Sequence, residues 1–217
     1  MSVVVDRREV ADAWQSYAIA GSTTAQRTLV FRSHIGDVIA LHVARWFGEP
    51  SVADHEVIAH ALSPVLDVGC GPGRHTLALA ARGVEALGLD ISLGAVRAAR
   101  RRGARVVHGD VFGDVPGRGT WGTALLLDGN IGIGGDPARL LVRIRELLHP
   151  GGRALVELGA PRTGTEVFVA RIDGAGGSWF PWARVAADDI APLAATARLR
   201  TGRPWCAEGR WFARLDR

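Results

Sequence analysis

Residues 65–83 have the sequence VLDVGCGPGRHTLALAARG, and this stretch decides the fold. It opens with the short apolar run VLDV, which is typical of a buried parallel strand. The run breaks at the turn GCGPG, and apolar residues then return at helical spacing as far as Gly83, a suitable C-terminal cap. Strand, glycine turn and helix in this order predict a nucleotide-binding unit, because glycines let a ligand approach the backbone and the helix start offers free N–H groups.

The spacing of the glycines distinguishes between two kinds of nucleotide-binding turn. A dinucleotide-binding turn has the pattern G-x-G-x-x-G, and counting from Gly69 places Arg74 where the third glycine is required. The pattern present is D-x-G-x-G-x-G, from Asp67 to Gly73. The mismatch counts against a nicotinamide-dependent oxidoreductase on a Rossmann fold, which stays open as an alternative function together with a non-catalytic cofactor-binding module.

Strands and helices alternate along the chain after this turn. Strands are predicted at 85–90, 105–107, 123–128 and 153–158, and helices at 92–102, 136–148 and 188–197. Such alternation predicts an α/β fold with a doubly wound, mostly parallel sheet.

The two ends of the sequence depart from this alternation. Residues 1–60 are predicted to form an N-terminal helical cap segment within the same domain as residues 61–217, with helices at 6–20 and 38–47 and a short strand at 28–33. Strand patterns at 167–172 and 178–185 predict a hairpin inserted after the fifth strand, at about 163–186. A terminal hairpin is predicted to turn at Glu208-Gly209.

The composition excludes several classes of protein. The chain has 217 residues, 47% of them hydrophobic, which is enough for one α/β domain and unlike a disordered chain. No apolar run approaches the ~18 residues of a membrane span, and an N-terminus with acidic residues and no apolar core predicts a cytoplasmic protein. The two cysteines, which lack zinc-ligand spacing, predict neither a disulfide nor a metal site.

The basic residues raise the question of a nucleic-acid partner. All 26 of them are arginine, and the net charge is +4. The one dense run, from Arg97 to Arg105, lies at the end of a predicted helix, where cations interact favourably with the helix dipole. No nucleic-acid recognition motif accompanies it, so a nucleic-acid partner is not predicted.

Three aspartates lie at or near the ends of successive predicted strands, namely Asp67, Asp90 and Asp110. Ligands of an open α/β sheet bind at the carboxyl ends of its strands. An acid about twenty residues after the glycine turn can accept hydrogen bonds from both ribose hydroxyls, as Asp90 is placed to do. The alternative for Asp90 is a helix cap, which Ser92 can also supply. Asp110 can accept from an exocyclic amine such as that of adenine.

Five segments follow one another over about residues 63–160, namely VLDVGCGPG, LGLDIS, VVHGDVF, WGTALLLDGNIG and LLHPGGRALVELG. In order and spacing they resemble the motifs of class I S-adenosylmethionine-dependent methyltransferases. The resemblance implies a Rossmann-like sheet of seven strands in the order 3-2-1-4-5-7-6, whose last strand is antiparallel, and the terminal hairpin fits that strand.

The resemblance also implies S-adenosylmethionine as the cofactor and assigns its contacts. The implied contacts are Asp67, Gly69, Cys70, Gly71 and Gly73 for the methionine part; Asp90 for the ribose; Ile91, Asp110, Val111 and Phe112 for the adenine; and Asp128, Gly129 and Asn130 for the methionine amino group and the substrate.

Three departures from related enzymes bear on the methyl acceptor. The loop after strand four lacks the N-P-P-Y-like signature of enzymes that methylate exocyclic amines of nucleic acids, and no paired-glutamate loop of protein arginine methyltransferases is present. Glu157 is not followed by the asparagine of metal-dependent catechol-type enzymes. These differences favour a small-molecule acceptor. The glycine-rich loop at 129–135 is either a surface for close approach of substrate or a mobile loop.

The acceptor side of the site is predicted from aromatic and histidine residues. Methyl transfer depends largely on positioning, and a base is needed only if the acceptor must lose a proton. The candidate bases are His34 and His42. Residues 159–185 and the N-terminal helices are predicted to cap the crevice, although their aromatic residues can equally fill a peripheral core. The aromatic residues assigned to the acceptor pocket are Trp14, Tyr17, Trp179 and Trp182.

Overall fold

The structure is a computed structural model that describes residues 28–36, 38–172 and 179–217. Its strands are β1 (Thr28–Ser33), β2 (Val38–His42), β3 (Val65–Val68), β4 (Ala86–Asp90), β5 (Val106–His108), β6 (Trp121–Leu126), β7 (Leu148–Leu158), β8 (Glu166–Ile172), β9 (Phe180–Arg184), β10 (Arg200–Thr201), β11 (Trp205–Ala207) and β12 (Arg210–Asp216). Its helices are α1 (Val43–Phe47), α2 (Val52–Ile58), α3 (Arg74–Ala81), α4 (Leu93–Arg101), α5 (Pro137–Leu147) and α6 (Ile190–Thr196), and Asn130–Gly135 form a 3₁₀ helix.

The larger of two sheets has the strand order β10-β12-β7-β6-β3-β4-β5, with β11 also paired to β12. Strands β3 to β7 run parallel, whereas β12 is antiparallel to β7. Numbered from β3, with β10 sixth and β12 seventh, this is the implied order 3-2-1-4-5-7-6. The predicted doubly wound, mostly parallel sheet is therefore confirmed, and the short strand β11 brings it to eight strands.

Helices cover both faces of this sheet, and the alternation along β3 shows how. Leu66 and Val68 pack in a core with residues of α5 and α6, whereas Val65 packs with residues of α2 and α3 on the other face. Every residue of β3 and of β6 is buried, as expected for central parallel strands covered on both faces. The carboxyl ends of these strands therefore meet at one edge, where the predicted site residues lie.

The second sheet contains β1, β2, β8 and β9 in the antiparallel order β2-β1-β8-β9. Strands β8 and β9, which lie within the predicted insertion, pair antiparallel with Val167 opposite Ala183. Phe31 of β1 lies opposite Ile172 of β8, which joins the N-terminal segment to the insertion. The turn between β8 and β9 falls outside the described residues.

The prediction of a helix at 38–47 is wrong in its first half. Val38–His42 form β2, and only Val43–Phe47 are helical. The segment VIALH, whose first four residues are apolar, fits a strand as well as a helix, and antiparallel pairing with β1 decides between them. The described part of the predicted helical cap is therefore half strand, and the predicted helix at 6–20 lies outside the described residues.

The insertion leaves and rejoins the larger sheet at one point. Gly159, directly after β7, donates its N–H to Val185 O at 2.8 Å, and Ala187 N–H donates to Gly159 O at 3.0 Å. The second sheet is thus attached at the carboxyl edge of the larger one. No helix within the described residues has the length and apolar character needed to cross a membrane.

Candidate active site

The glycine turn between β3 and α3 has a left-handed backbone at three positions. The φ angles are +69° at Gly69, +55° at Gly71 and +86° at Gly73, a region that favours glycine. Asn130 supports this turn from the neighbouring strand end, because its Nδ2 donates to Val68 O at 2.8 Å and to Gly69 O at 3.0 Å. A Cβ at position 69 would lie 2.7 Å from that Nδ2, so the Asn130 contact itself requires glycine there.

Asp67 and Cys70 turn out to be supporting residues. The Oδ2 of Asp67 accepts from the N–H of Thr76 at 3.1 Å and from its hydroxyl at 2.7 Å, which ties α3 to β3. Asp67 is 1% exposed, and burial raises its pKa. The Cys70 side chain packs in a core with Val96 and Ala99, and burial raises the pKa of its thiol. The side chains of both residues are therefore engaged inside the fold, where they support the turn.

Asp90, at the end of β4, connects the glycine turn to the next strand. Its Oδ2 accepts from Gly71 N–H and its Oδ1 from Ser92 N–H, both at 2.8 Å. Ser92 itself caps α4, since its hydroxyl accepts from Ala95 N–H, so the cap does not need Asp90. Burial raises the pKa of Asp90 to about 6 against the opposing effect of its two backbone hydrogen bonds.

The residues assigned to adenine lie at the ends of β4 and β5. Asp110 accepts from Phe112 N–H at 2.9 Å, which orders this loop. The Phe112 ring is half-buried, and the Arg139 guanidinium lies 4.3 Å from its centre. Ile91 is also half-buried, whereas Val111 is buried in the main core. Ile91 and Phe112 are thus partly exposed at these strand ends, whereas the Val111 side chain is withdrawn into the core.

A network of buried ion pairs lies at the same edge, and the sequence analysis missed most of it. Arg210, at the start of β12, donates from Nε and Nη2 to the two oxygens of Glu157 at 2.8 and 2.6 Å. Its Nη1 donates to Asp54 at 2.7 Å. Arg74 donates from Nη1 to the other oxygen of Asp54 and from Nη2 to Asp128 at 2.7 Å. Five segments of the chain therefore meet here.

The pKa values of Asp54 and Asp128, two carboxyls of this network, are lowered, which favours their ionised forms. Burial alone would raise the pKa of Asp54, but hydrogen bonds from His75 and Arg210 outweigh it and hold that pKa well below its ordinary value. Burial opposes ionisation of Asp128 in the same way, and the charges of His75 and Arg74 lower its pKa overall. Asp128 has a left-handed backbone, with φ +54°, and its N–H donates to Glu157 at 2.7 Å. Its carboxylate, with 20% of its side-chain surface exposed, is the most accessible of the three.

No sequence signal indicated this network. Asp54 is separated from Arg74 by 20 positions and from Arg210 by 156. The one local pattern that involves Asp54 is the capping box of α2, in which Ser51 and Asp54 exchange hydrogen bonds. That pattern explains where the helix starts and does not indicate the ion pairs.

The glycine-rich loop at 129–135 packs closely against β9 at two of its glycines. A Cβ at Gly132 would lie 2.3 Å from the Ala183 backbone oxygen, and one at Gly135 would lie 2.7 Å from the Pro181 side chain. The close approach that needs glycine is therefore to β9 of the second sheet. Gly129, with φ +84° and open space beside it, begins the 3₁₀ helix.

The aromatic residues predicted to line the acceptor pocket lie in different surroundings. Trp182 packs on Phe31 and Phe180, with ring centres 6.2 and 5.9 Å apart, and is half-buried beside Gly132. Trp179 is 40% exposed, and the Arg171 guanidinium lies 5.2 Å from its ring. These two tryptophans thus differ in surroundings, while Trp14 and Tyr17 lie outside the described residues.

The two candidate histidines belong to the second sheet. His34 is exposed, and its Nδ1 accepts from Val169 N–H at 3.1 Å, so this nitrogen is already engaged. His42 is the last residue of β2, and its side chain is outside the described part of the chain. No group of three or more histidine, cysteine, aspartate or glutamate side chains within residues 28–36, 38–172 and 179–217 is arranged to hold a metal ion.

Comparison with known proteins identifies the central part of the chain. Residues 65–152, from β3 into β7, match the family model described as a methyltransferase domain. This part of the chain is therefore similar to methyltransferase domains. A trans-aconitate 2-methyltransferase from Paracidovorax citrulli is 32% identical over 112 residues, which are 48% of this chain and 43% of that protein. The match therefore spans less than half the length of this curated relative.

Solved structures extend the similarity from this central part to the whole fold. A methyltransferase from Bacteroides fragilis, in complex with S-adenosyl-L-homocysteine, has a TM-score of 0.77 at 21% identity and covers 97% of this chain and 96% of its own. The 1,6-didemethyltoxoflavin-N1-methyltransferase from Burkholderia thailandensis has a TM-score of 0.64 at 18% identity, over 100% and 92%. At these identities the likeness establishes the fold, and it includes the segments on either side of the domain.

Proposed function

We propose that the protein transfers a methyl group from S-adenosylmethionine to a small-molecule acceptor. The observation that carries the proposal is the Asp90 carboxylate, which binds Gly71 of the glycine turn and lies at the end of β4. This hydrogen bond connects a glycine turn of left-handed backbone to an acid at the carboxyl edge of the sheet, within the part of the chain that matches a methyltransferase domain. A cofactor bound there supplies the electrophilic methyl group on its sulfonium, and the chain supplies positioning.

The geometry of the turn and of the strand ends supports a proposed set of cofactor contacts. Asp90 accepts from the ribose hydroxyls with the lone pairs that its two backbone contacts leave free. Asp110 accepts from the adenine amine, and Ile91 and Phe112 pack on the ring. Asp128 is the accessible carboxylate at the methionine end.

The acceptor binds between the cofactor and the second sheet. Support comes from the attachment of that sheet at Gly159, on the carboxyl edge, and from its contact with the 3₁₀ helix that follows β6. Trp182 lies at this contact, whereas Trp179 is 40% exposed and has the Arg171 guanidinium beside its ring. Trp182 is therefore the tryptophan assigned to the acceptor pocket.

The chemistry of the acceptor is inferred from two kinds of support. Two of the relatives are named for small-molecule acceptors, trans-aconitate and 1,6-didemethyltoxoflavin. The arginine run at 97–105 also has intramolecular partners, since Arg102 donates to Pro72 O and Phe47 O and Arg105 pairs with Glu85. Both observations favour a small molecule over nucleic acid.

Calorimetric titration tests the cofactor, and label transfer tests the reaction. S-adenosylmethionine and S-adenosylhomocysteine should bind while NAD gives no heat, and tighter binding of NAD would overturn the assignment. With methyl-labelled cofactor and a cell extract, label should enter the low-molecular-mass fraction. Label found only in protein or RNA would contradict a small-molecule acceptor, and binding without any transfer would favour a non-catalytic module.

A further inference from the structure

Arg45 differs from the other two arginines that surround Asp128. Arg74 donates to the Asp128 carboxylate at 2.9 and 2.7 Å and Arg210 at 3.4 Å, and their side chains are 3% and 12% exposed. Arg45 approaches the same carboxylate only to 3.8 Å, which is too long for a hydrogen bond, and its side chain is 45% exposed. Within the described residues nothing accepts a hydrogen bond from Arg45, so its donors are available to a ligand.

The carboxylates near Arg45 already have their partners in the buried part of the network. Both oxygens of Glu157 and both oxygens of Asp54 accept hydrogen bonds from arginine side chains. Both oxygens of Asp128 accept from Arg74. The negative charge of Asp128 is therefore compensated without Arg45, and a half-exposed ion pair at 3.8 Å contributes little to stability. A structural role thus accounts poorly for this guanidinium.

The helix that carries Arg45 connects the two halves of the proposed site. Helix α1 follows directly on β2 of the second sheet and packs against α4, the helix after the ribose strand. At its other end Phe47 O accepts from Arg102 Nη2 at 3.0 Å, and Arg102 Nη1 donates to Pro72 O of the glycine turn at 2.9 Å. Helix α1 is therefore fixed between the second sheet and the glycine turn, and Arg45 lies where the proposed acceptor and cofactor sites meet.

A half-exposed guanidinium at this place complements an anionic group on the acceptor. The planar fork of an arginine binds two oxygens of a carboxylate or phosphate at once. The sulfonium of the cofactor adds a positive charge to the crevice, which an anionic acceptor complements. We propose that Arg45 binds a carboxylate or phosphate of the methyl acceptor, so that the substrate is an acidic small molecule. This inference rests on the proposed function and names the chemical class of its acceptor.

Label transfer from a fractionated extract tests the charge of the acceptor. The low-molecular-mass part of a cell extract is passed over an anion exchanger at neutral pH. The retained and unretained compounds are then offered separately to the wild-type protein with methyl-labelled S-adenosylmethionine. We expect label to enter a retained compound. Phosphatase treatment of the retained compounds distinguishes the two anions, because a phosphate acceptor is then lost and a carboxylate acceptor persists.

Substitution of Arg45 tests the residue itself. Arg45→Gln should raise the apparent KM for the retained acceptor by about tenfold or more, as for a lost charge-assisted hydrogen bond, with unchanged calorimetric affinity for S-adenosylhomocysteine. Arg45→Lys, which keeps the charge, should recover part of this loss. Arg105→Gln is the matched control, because Arg105 is an exposed arginine with a single loose ion pair, 3.5 Å from Glu85, at the opposite edge of the sheet. Its apparent KM should equal that of the wild type.

The outcomes separate this inference from the proposed function. Label that enters only unretained compounds overturns the inference, even if the variants do not fold. An unchanged apparent KM in Arg45→Gln, or an equal rise in Arg105→Gln, overturns it as well. A loss of S-adenosylhomocysteine affinity in Arg45→Gln would assign the guanidinium to the cofactor and would also overturn it. Absence of labelling from both sets of compounds refutes the proposed transfer reaction, on which the inference rests.

Discussion

Replacing Asp90 with asparagine should weaken cofactor binding and remove its dependence on pH. Each carboxylate oxygen takes one backbone N–H at 2.8 Å and keeps a lone pair for a ribose hydroxyl. Hydrogen bonds to a charged acceptor contribute about 1 kcal/mol more than neutral ones, so two of them amount to about 2 kcal/mol. Asp90→Asn should therefore raise the dissociation constant of S-adenosylhomocysteine about thirtyfold at neutral pH.

The pH dependence follows from the pKa of about 6 that burial gives to Asp90. If the ionised form binds the ribose, the dissociation constant should rise by about tenfold for each pH unit below that pKa and level off above it. In Asp90→Asn the group does not titrate, so this part of the profile should be flat. Calorimetric titrations with S-adenosylhomocysteine between about pH 5 and pH 8 measure both effects, over the range in which this carboxyl titrates.

Asp216→Asn is a suitable control for a lost carboxylate. Asp216 ends β12 at the opposite edge of the sheet, where it pairs with Arg153 and Arg214. This variant should bind with wild-type affinity and keep the wild-type pH profile. An Asp90→Asn protein with unchanged affinity, or with the pH profile of the wild type, would leave Asp90 only its contacts to the glycine turn and would refute the ribose assignment.

Four further predictions concern packing, the acceptor, and the ion pairs with their dependence on pH. Gly132→Ala should lower the thermal unfolding midpoint, since its Cβ would lie 2.3 Å from a backbone oxygen of β9 and overpacking costs about 1–3 kcal/mol; an unchanged midpoint would contradict the contact. Trp182→Ala should abolish acceptor turnover with S-adenosylhomocysteine affinity retained, while Trp179→Ala, which changes an exposed ring, stays active; the reverse pattern in steady-state assays would move the pocket. Arg210→Met should cost about 3–5 kcal/mol in urea unfolding, because it leaves buried carboxylates unpaired, and a loss below about 1 kcal/mol would show that water already screens them. The pKa of Asp54 in the folded state lies below its ordinary value of 3.8. The stabilisation by its ion pairs should therefore be complete above about pH 4 and be lost as the pH falls further. Measuring the unfolding midpoint as a function of pH in the acid range tests this.

Local patterns in the sequence were sufficient for the central α/β units. The predicted strand at 65–68 coincides with β3, and the predicted helix at 136–148 contains α5, because an apolar run and a cap of aspartate and proline act within a few residues. The same local reasoning was wrong at 38–42, where pairing with β1 decides in favour of a strand. A short apolar run does not show whether a partner strand is available to pair with it.

The candidate site was predictable only where a single side chain marks a strand end. Asp90 and Asp110 follow strands, so their common edge could be deduced from topology. The partners of Asp128 come from α3 and β12, and no periodicity connects these positions. The glycines of the 3₁₀ helix were ambiguous for the same reason, because the strand that requires them is distant in sequence.

The bond between Asp54 and Arg210 spans 156 residues, and this separation has a consequence for the time course of folding. Contacts between distant positions form late, because a long loop must be closed before the contact stabilises anything. Refolding should therefore restore the helical and parallel-strand signal first and cofactor affinity afterwards, when β12 has been inserted beside β7 and its arginine reaches the crevice. A partly folded chain in which β12 is still unpaired should therefore contain the glycine turn and bind the cofactor only weakly.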